Sequence, residues 1–318
     1  MKLGTLITVA TAVVACRDSR IDPTRPQATS KAAIARGEYL AKIEGCVYCH
    51  AGVGTNGPDF SHPMSGGFEV REKFGTWRSP NITQDTRSGI GTWTDVEIAA
   101  AIREGVRPDG TQLYPVMPYL DFNRMTDADT NALVAYLRTV PAVDHVVAAN
   151  ELALPQLRAP KPTNAVDPVG DPVKHGEYLV RIMSCGMCHT PLGADGTPDR
   201  TKQFAGGVEI EIPKLGIGKL YSSNITSDRE TGIGAWTDEQ LARAIRMPGV
   251  GGGRLEQYMT GNNPMTSEDL ASIAAYVKTI APVRNVVPHS DFKALFATTF
   301  GRDRTSISSE PPLASASR

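Results

Sequence analysis

The chain has 318 residues, enough for two domains of ordinary size. Hydrophobic residues make up 41% and charged residues 21%, the balance of an ordinary globular protein. A net charge of -1 provides no field that would draw in nucleic acid or an anionic membrane surface, so neither is expected as a partner on charge grounds.

The chain opens on "MKLGTLITVATAVVAC", one lysine and then a short, mostly apolar run. This reads as an export signal over residues 1–15, too short to span a bilayer as a mature helix. The "VVAC" at its end resembles the lipobox of bacterial lipoproteins. By that resemblance Cys16 is expected to carry lipid and to tether the mature chain to a membrane facing the periplasm. The alternative is an ordinary signal cut elsewhere, which leaves Cys16 a stray thiol. Both readings put the protein outside the cytoplasm, and residues 16–31 are expected to be a disordered tether.

From there the chain repeats itself once. "RGEYLAKIEGCVYCH" returns as "HGEYLVRIMSCGMCH", "NITQDTRSGIGTWTDVEIAAAIR" as "NITSDRETGIGAWTDEQLARAIR", and "MTDADTNALVAYLRTV" as "MTSEDLASIAAYVKTI". A two-copy repeat of this length predicts two tandem domains, 32–142 and 171–283, rather than a solenoid. The proline-rich segment 143–170 reads as an extended linker, and the polar tail 284–318 as disordered.

Within each repeat the strong signals are helical. A first helix is predicted near 30–44 and 172–183, leading into each CxxCH. Thr94 with Glu97, and Thr237 with Gln240, have the spacing of capping boxes and open a second helix. Thr126 and Thr266 open a last helix that ends before Pro141 and Pro282. Tyr39, Tyr178, Tyr136 and Tyr276 are expected to pack the first helix on the last. No alternating strand pattern stands out, so the fold class expected is all-α with long loops.

Those loops need a reason to be ordered, and the cysteines suggest one. Cys46, Cys49 and His50 form one CxxCH; Cys185, Cys188 and His189 form the other. A structural zinc site needs four ligands, usually two CxxC pairs close in sequence, and each repeat offers only two thiols and one histidine. A thioredoxin-like dithiol expects a strand-helix-strand setting. Covalent haem attachment uses all three residues: the thiols add to the vinyl groups and the imidazole reaches the iron from one face. Two covalently bound haems are therefore expected. A haem also supplies apolar surface to a chain with only 6% aromatic residues.

The residue on the opposite face of the iron decides the chemistry, since an open position permits peroxide or oxygen chemistry and methionine favours electron transfer. Met117 recurs as Met259, and Met125 as Met265. Met125 and Met265 directly precede helix caps, where a hydrophobic residue staples the helix start. Met117 lies between Pro115 and Pro118 in a loop stiffened by both rings, which suits a ligand held at one distance. Met117 and Met259 are therefore the expected axial ligands, although repeat 2 has no flanking prolines. Spacing alone also leaves His62 open as an axial ligand; His145, His175 and His289 lack a counterpart and read as surface or loop histidines. Asn81, Asn224, Trp93 and Trp236 recur, and either bond the haem propionates or set turns and fill core.

With these motifs the sequence resembles the class I c-type cytochromes, and more closely the cytochrome subunits of bacterial membrane dehydrogenases acting on alcohols, aldehydes and sugar acids. The resemblance covers 32–142 and 171–283 and rests on the two CxxCH sites, "NIT", "GIGTWTD", "GIGAWTD" and "LYPVMPY". It implies His50 with Met117, and His189 with Met259, as iron ligand pairs, and a small helical bundle wrapped around each haem. It further implies single-electron transfer from a dehydrogenase or quinol-linked donor to a downstream cytochrome or oxidase. Those subunits often carry three haem domains, and this chain shows two. No residue is expected to be catalytic in the acid-base sense. The alternative is a di-haem enzyme such as a cytochrome c peroxidase, which requires one exchangeable distal site.

Overall fold

The computed structural model describes residues 30–288 except 55–56, 73–74, 154–155, 164–167, 169, 194–196, 213–216 and 247–263. The export signal, Cys16, His289 and the tail beyond it lie outside the described residues, and so does Met259. The chain divides between Asp167 and Pro168 into two compact units, each mostly helical.

Unit 1 begins with α1 (Lys31–Ile43), capped by Ser30, whose hydroxyl accepts from the Ala33 amide. One turn, α2 (Cys46–Cys49), follows, then two short strands, β1 (Gly52–Gly54) and β2 (Gly57–Asp59), and a hairpin of β3 (Glu69–Glu72) and β4 (Gly75–Arg78). Next come α3 (Asp95–Glu104), α4 (Tyr119–Phe122), α5 (Asp127–Leu137) and β5 (Glu151–Leu152). Thr94 and Glu97 form the capping box of α3, and Gly105 ends that helix in the left-handed region. Thr126 caps α5 through the Asp129 amide.

The centre of the unit is the crossing of α1 on α5. At Gly37 a Cβ would stand 1.9 Å from the Ala132 carbonyl oxygen and 2.7 Å from the Tyr136 Cβ, so only glycine lets the two backbones come this close. Beside the crossing the Arg36 guanidinium grips both carboxylate oxygens of Asp129 at 2.8 Å. Leu40, Ile43, Phe122, Met125 and Leu133 belong to the core of this unit, each essentially inaccessible to solvent.

Unit 2 repeats the plan with α6 (Pro172–Ile182), α7 (Cys185–His189), the hairpin β6 (Glu209–Ile212) and β7 (Ile217–Tyr221), α8 (Asp238–Arg246) and α9 (Ser267–Val277). Gly176 crosses Ser272 with the same clearance, 1.9 Å from the carbonyl to a would-be Cβ, and Tyr276 lies beside it. His175 takes the place of Arg36 and meets Asp269 at 2.8 Å.

Three expectations need correction. The fold contains short strands. They carry no long alternation to announce them, and their pairing is fixed by turns and by close approach, as at Gly75 against Glu151. The segment read as a linker is bound to unit 1 through Thr163: the Tyr119 hydroxyl donates to Leu157 O at 2.6 Å, Asn123 Nδ2 to Pro160 O at 2.7 Å, and Arg103 to Thr163 O at 3.2 Å. Finally, two histidines read as lacking a counterpart have one in role. His175 stands for Arg36, and His145, which meets Ser65 O at 2.9 Å, stands for Asn285, which donates to Ala205 O at 2.9 Å. His62 is exposed and held by Asp59, as a surface histidine should be. No helix among the described residues is long and apolar enough to cross a membrane.

Candidate cofactor sites

Each CxxCH is built by the same local device. The helix before it ends and the next residue turns left-handed, Gly45 at φ 78° in unit 1 and Ser184 at φ 53° in unit 2. That kink starts a new turn, α2 or α7, carrying both thiols, and the histidine follows at once. No disulfide joins the four thiols.

Both histidines are buried, His50 at 8% exposure and His189 at 6%. The Nδ1 of His50 lies 2.8 Å from Pro80 O, and that of His189 lies 2.7 Å from Ser223 O. Burial lowers the pKa of both rings, and the carbonyl contact works against it only in part. A neutral imidazole in this setting donates from Nδ1 to the carbonyl and leaves its lone pair on Nε2. The carbonyl is held in turn by glycine. Gly66, at φ 74°, lies so near the Pro80 peptide that a Cβ would be 2.4 Å from the Pro80 carbonyl carbon, and Gly206 stands in the same relation to Ser223. The Gly66 amide also donates to His50 O, and the Gly206 amide to His189 O. These glycines stand in the sequence as "MSGG" and "FAGG" at matching places of the two repeats, a paired signal independent of the CxxCH sites.

One thiol of each pair, Cys46 and Cys188, is not poised as a thiolate. Burial, with Glu44 and Cys49 adding to it, pushes the Cys46 thiol well above its ordinary value, and burial raises Cys188. Low-pKa redox dithiols and zinc thiolates need the opposite setting. Among the described residues no group of three or more His, Cys, Asp or Glu converges on one point. Two thiols on one helical turn, beside a neutral histidine with an oriented lone pair, fit covalently attached haem. Thioether formation leaves no ionisable group where the environment disfavours the charged thiolate.

Met117 sits half-buried in the loop before α4. Its amide donates to Tyr114 O and its carbonyl accepts from the Tyr119 amide, and Tyr119 itself is fully buried. Met125 and Met265 are core residues at the starts of α5 and α9, with no exposure and 4%. The asparagines set structure. Asn81 Nδ2 donates to Ser88 Oγ, Val143 O and His145 O, while its Oδ1 accepts from the amide and hydroxyl of Thr83. Asn224 repeats this with Thr231, Val283 and Thr226. With both amide hydrogens engaged, neither asparagine has a donor to spare for a propionate. Trp93 is half-buried and Trp236 is exposed, so neither fills core.

The sequence pattern of the cytochrome c family matches residues 34–141. The chain is similar to the cytochrome c subunit of alcohol dehydrogenase (quinone) from Gluconobacter oxydans, at 31% identity, the match covering 81% of this chain and 56% of that one. It is similar to the fructose dehydrogenase cytochrome subunit of Gluconobacter japonicus at 35% identity, over 71% and 48%. A diheme cytochrome c-type protein of Cereibacter sphaeroides is 30% identical, over 78% of this chain and 86% of its own. The chain spans about half the length of the two dehydrogenase subunits.

Proposed function

The chain belongs to the cytochrome c family, and we propose that it is an exported electron carrier with one covalent haem in each unit, serving a dehydrogenase. One observation carries this reading: both units hold a CxxCH histidine by the same Nδ1 contact to a backbone carbonyl, at 2.8 and 2.7 Å, with Nε2 left to act as a ligand. When bound, haem supplies reversible one-electron chemistry. Cys46 and Cys49, and Cys185 and Cys188, would hold it as thioethers. His50 with Met117, and His189 with Met259, would ligate the iron, and a methionine ligand would raise the potential relative to a second histidine.

Relatives named as cytochrome subunits of alcohol, fructose and gluconate dehydrogenases support a dehydrogenase as donor. The acceptor is a further cytochrome or an oxidase. The protein works in the periplasm, tethered by lipid on Cys16. Expression in a host that matures c-type cytochromes should yield red protein with two moles of non-extractable porphyrin per chain; colourless folded protein sinks the reading. Peroxide turnover with one high-spin haem would replace it with the peroxidase. For the tether, Cys16→Ser should move the protein to the soluble periplasmic fraction, and unchanged membrane association refutes the lipid.

A further inference from the structure

Glu44 closes α1, two residues before Cys46. Both of its carboxylate oxygens are buried, and neither has a hydrogen-bond partner. An ionised acid without partners in such a place is strongly disfavoured. The charged and titratable groups facing it do little to help. Arg36 on α1 is drawn off by Asp129 of α5, which takes it at both oxygens, and Asp129 is itself a like charge. Cys46 on α2 interacts with Glu44, and Tyr136 of α5 interacts with Cys46. Burial, then Asp129, pushes the Glu44 carboxyl well above the usual range, and Arg36 opposes only in part. The fold does not need an acid there, because repeat 2 carries Met183 at the matching position.

We propose that Glu44 is the proton-coupling residue of unit 1, taking a proton from solvent when an electron reaches the haem held by Cys46 and Cys49 and returning it when the electron leaves. This rests on the two-haem reading above. At a pH above the raised value that the Glu44 carboxyl has in the oxidised protein, one electron from the donor takes ferric iron to ferrous and one solvent proton forms the O–H bond on the Glu44 carboxylate; oxidation reverses both. Cys46 bonds the porphyrin and not the metal, and as a thioether it has no proton with which to compete. The added negative charge of the reduced site, felt through a poorly screened interior, favours the protonated acid. By linkage, proton and electron then strengthen each other's binding equally. Unit 2, with methionine in this place, has no such coupling.

The test is spectroelectrochemical titration of the purified two-haem protein across roughly pH 5 to 9, a range that brackets a raised carboxyl. One of the two Nernst components should fall with pH, by up to tenfold in equilibrium per unit, which is about 59 mV for a one-electron couple. Glu44→Gln and Glu44→Met should flatten that component and leave the other unchanged. The redox infrared difference spectrum of the wild type should also contain a carboxylic C=O band. That measurement stands even if both variants fail to mature. A slope that survives Glu44→Gln, two flat components, or no carbonyl band overturns the coupling. Porphyrin-bearing protein with flat potentials defeats this proposal alone, whereas protein without porphyrin defeats the proposed function with it.

Discussion

Replacing Gly37 with alanine tests the helix crossing on which unit 1 is built. In an exposed helix the change would stabilise by about 1 kcal/mol, because alanine is the better helix former. Here the new methyl would lie 1.9 Å from the Ala132 carbonyl oxygen and 2.7 Å from the Tyr136 Cβ. The first obstacle is backbone and cannot swing aside, so α1 and α5 must separate, which places the change at the upper end of overpacking costs, about 3 kcal/mol. The net expectation is a loss of about 2 kcal/mol, or a fall of roughly 5–10 °C in the melting temperature, unit 1 lying between the small and the larger domain sizes. Thermal unfolding of the haem-bearing chain, followed by Soret circular dichroism, would measure it. Gly176→Ala should act in the same way on unit 2, where the clearance to Ser272 O is also 1.9 Å. A Gly37→Ala protein as stable as wild type, or more stable, would refute the crossing.

Other outcomes follow from the same geometry. Asn81→Ala strips the Thr83 amide of its partner and takes one donor each from Val143 O and His145 O, and should cost about 3 kcal/mol in denaturant unfolding. It should leave the haem potentials unchanged, whereas an asparagine that bonded a propionate would shift one of them. Met117→Ala should remove roughly half of the weak long-wavelength methionine-to-iron charge-transfer band in the ferric protein, since one of two such ligands is lost. For pH, Asp85 is held below its ordinary range by the Ser88 amide and hydroxyl, and Asp228 by the Thr231 hydroxyl and amide. A depressed carboxyl stabilises the fold above its unfolded pKa and loses that contribution as pH falls through the lower folded value. Stability should therefore hold from neutrality down to about pH 4 and decline below it. Asp85→Asn with Asp228→Asn should flatten that decline in acid titration followed by circular dichroism.

Features written in neighbouring residues were legible in the sequence. The capping threonines, the helix before each CxxCH and the duplication all depend on contacts within a few positions or on direct repetition. Features that depend on distant backbone were not. The segment after Pro141 looked like a spacer because its prolines are local, while its bonding partners Asn81, Arg103, Tyr119 and Asn123 lie far earlier in the chain. The short hairpins escaped for the same reason: strands of three to five residues offer too little alternation to read. His145 and His175 were misjudged because matching by letter hides matching by task, Asn285 and Arg36 doing the same work in the other copy. Met125 and Met117, alike by letter, differ in the sequence by the capping threonine after one and the prolines around the other, and in the structure Met125 is fully buried while Met117 is half-buried.

The acceptor for each buried imidazole is a peptide oxygen, supplied by proline in one copy and serine in the other. A main-chain group cannot be deleted by changing the side chain attached to it, so the residue that supplies it is at liberty to drift. The fragile point moves to another stretch of chain, to the glycine whose missing methyl gives that peptide its room. Mutational tolerance in this molecule should thus be inverted from the usual expectation: permissive at the atom that bonds the ring, and strict at a residue that bonds nothing with a side chain at all.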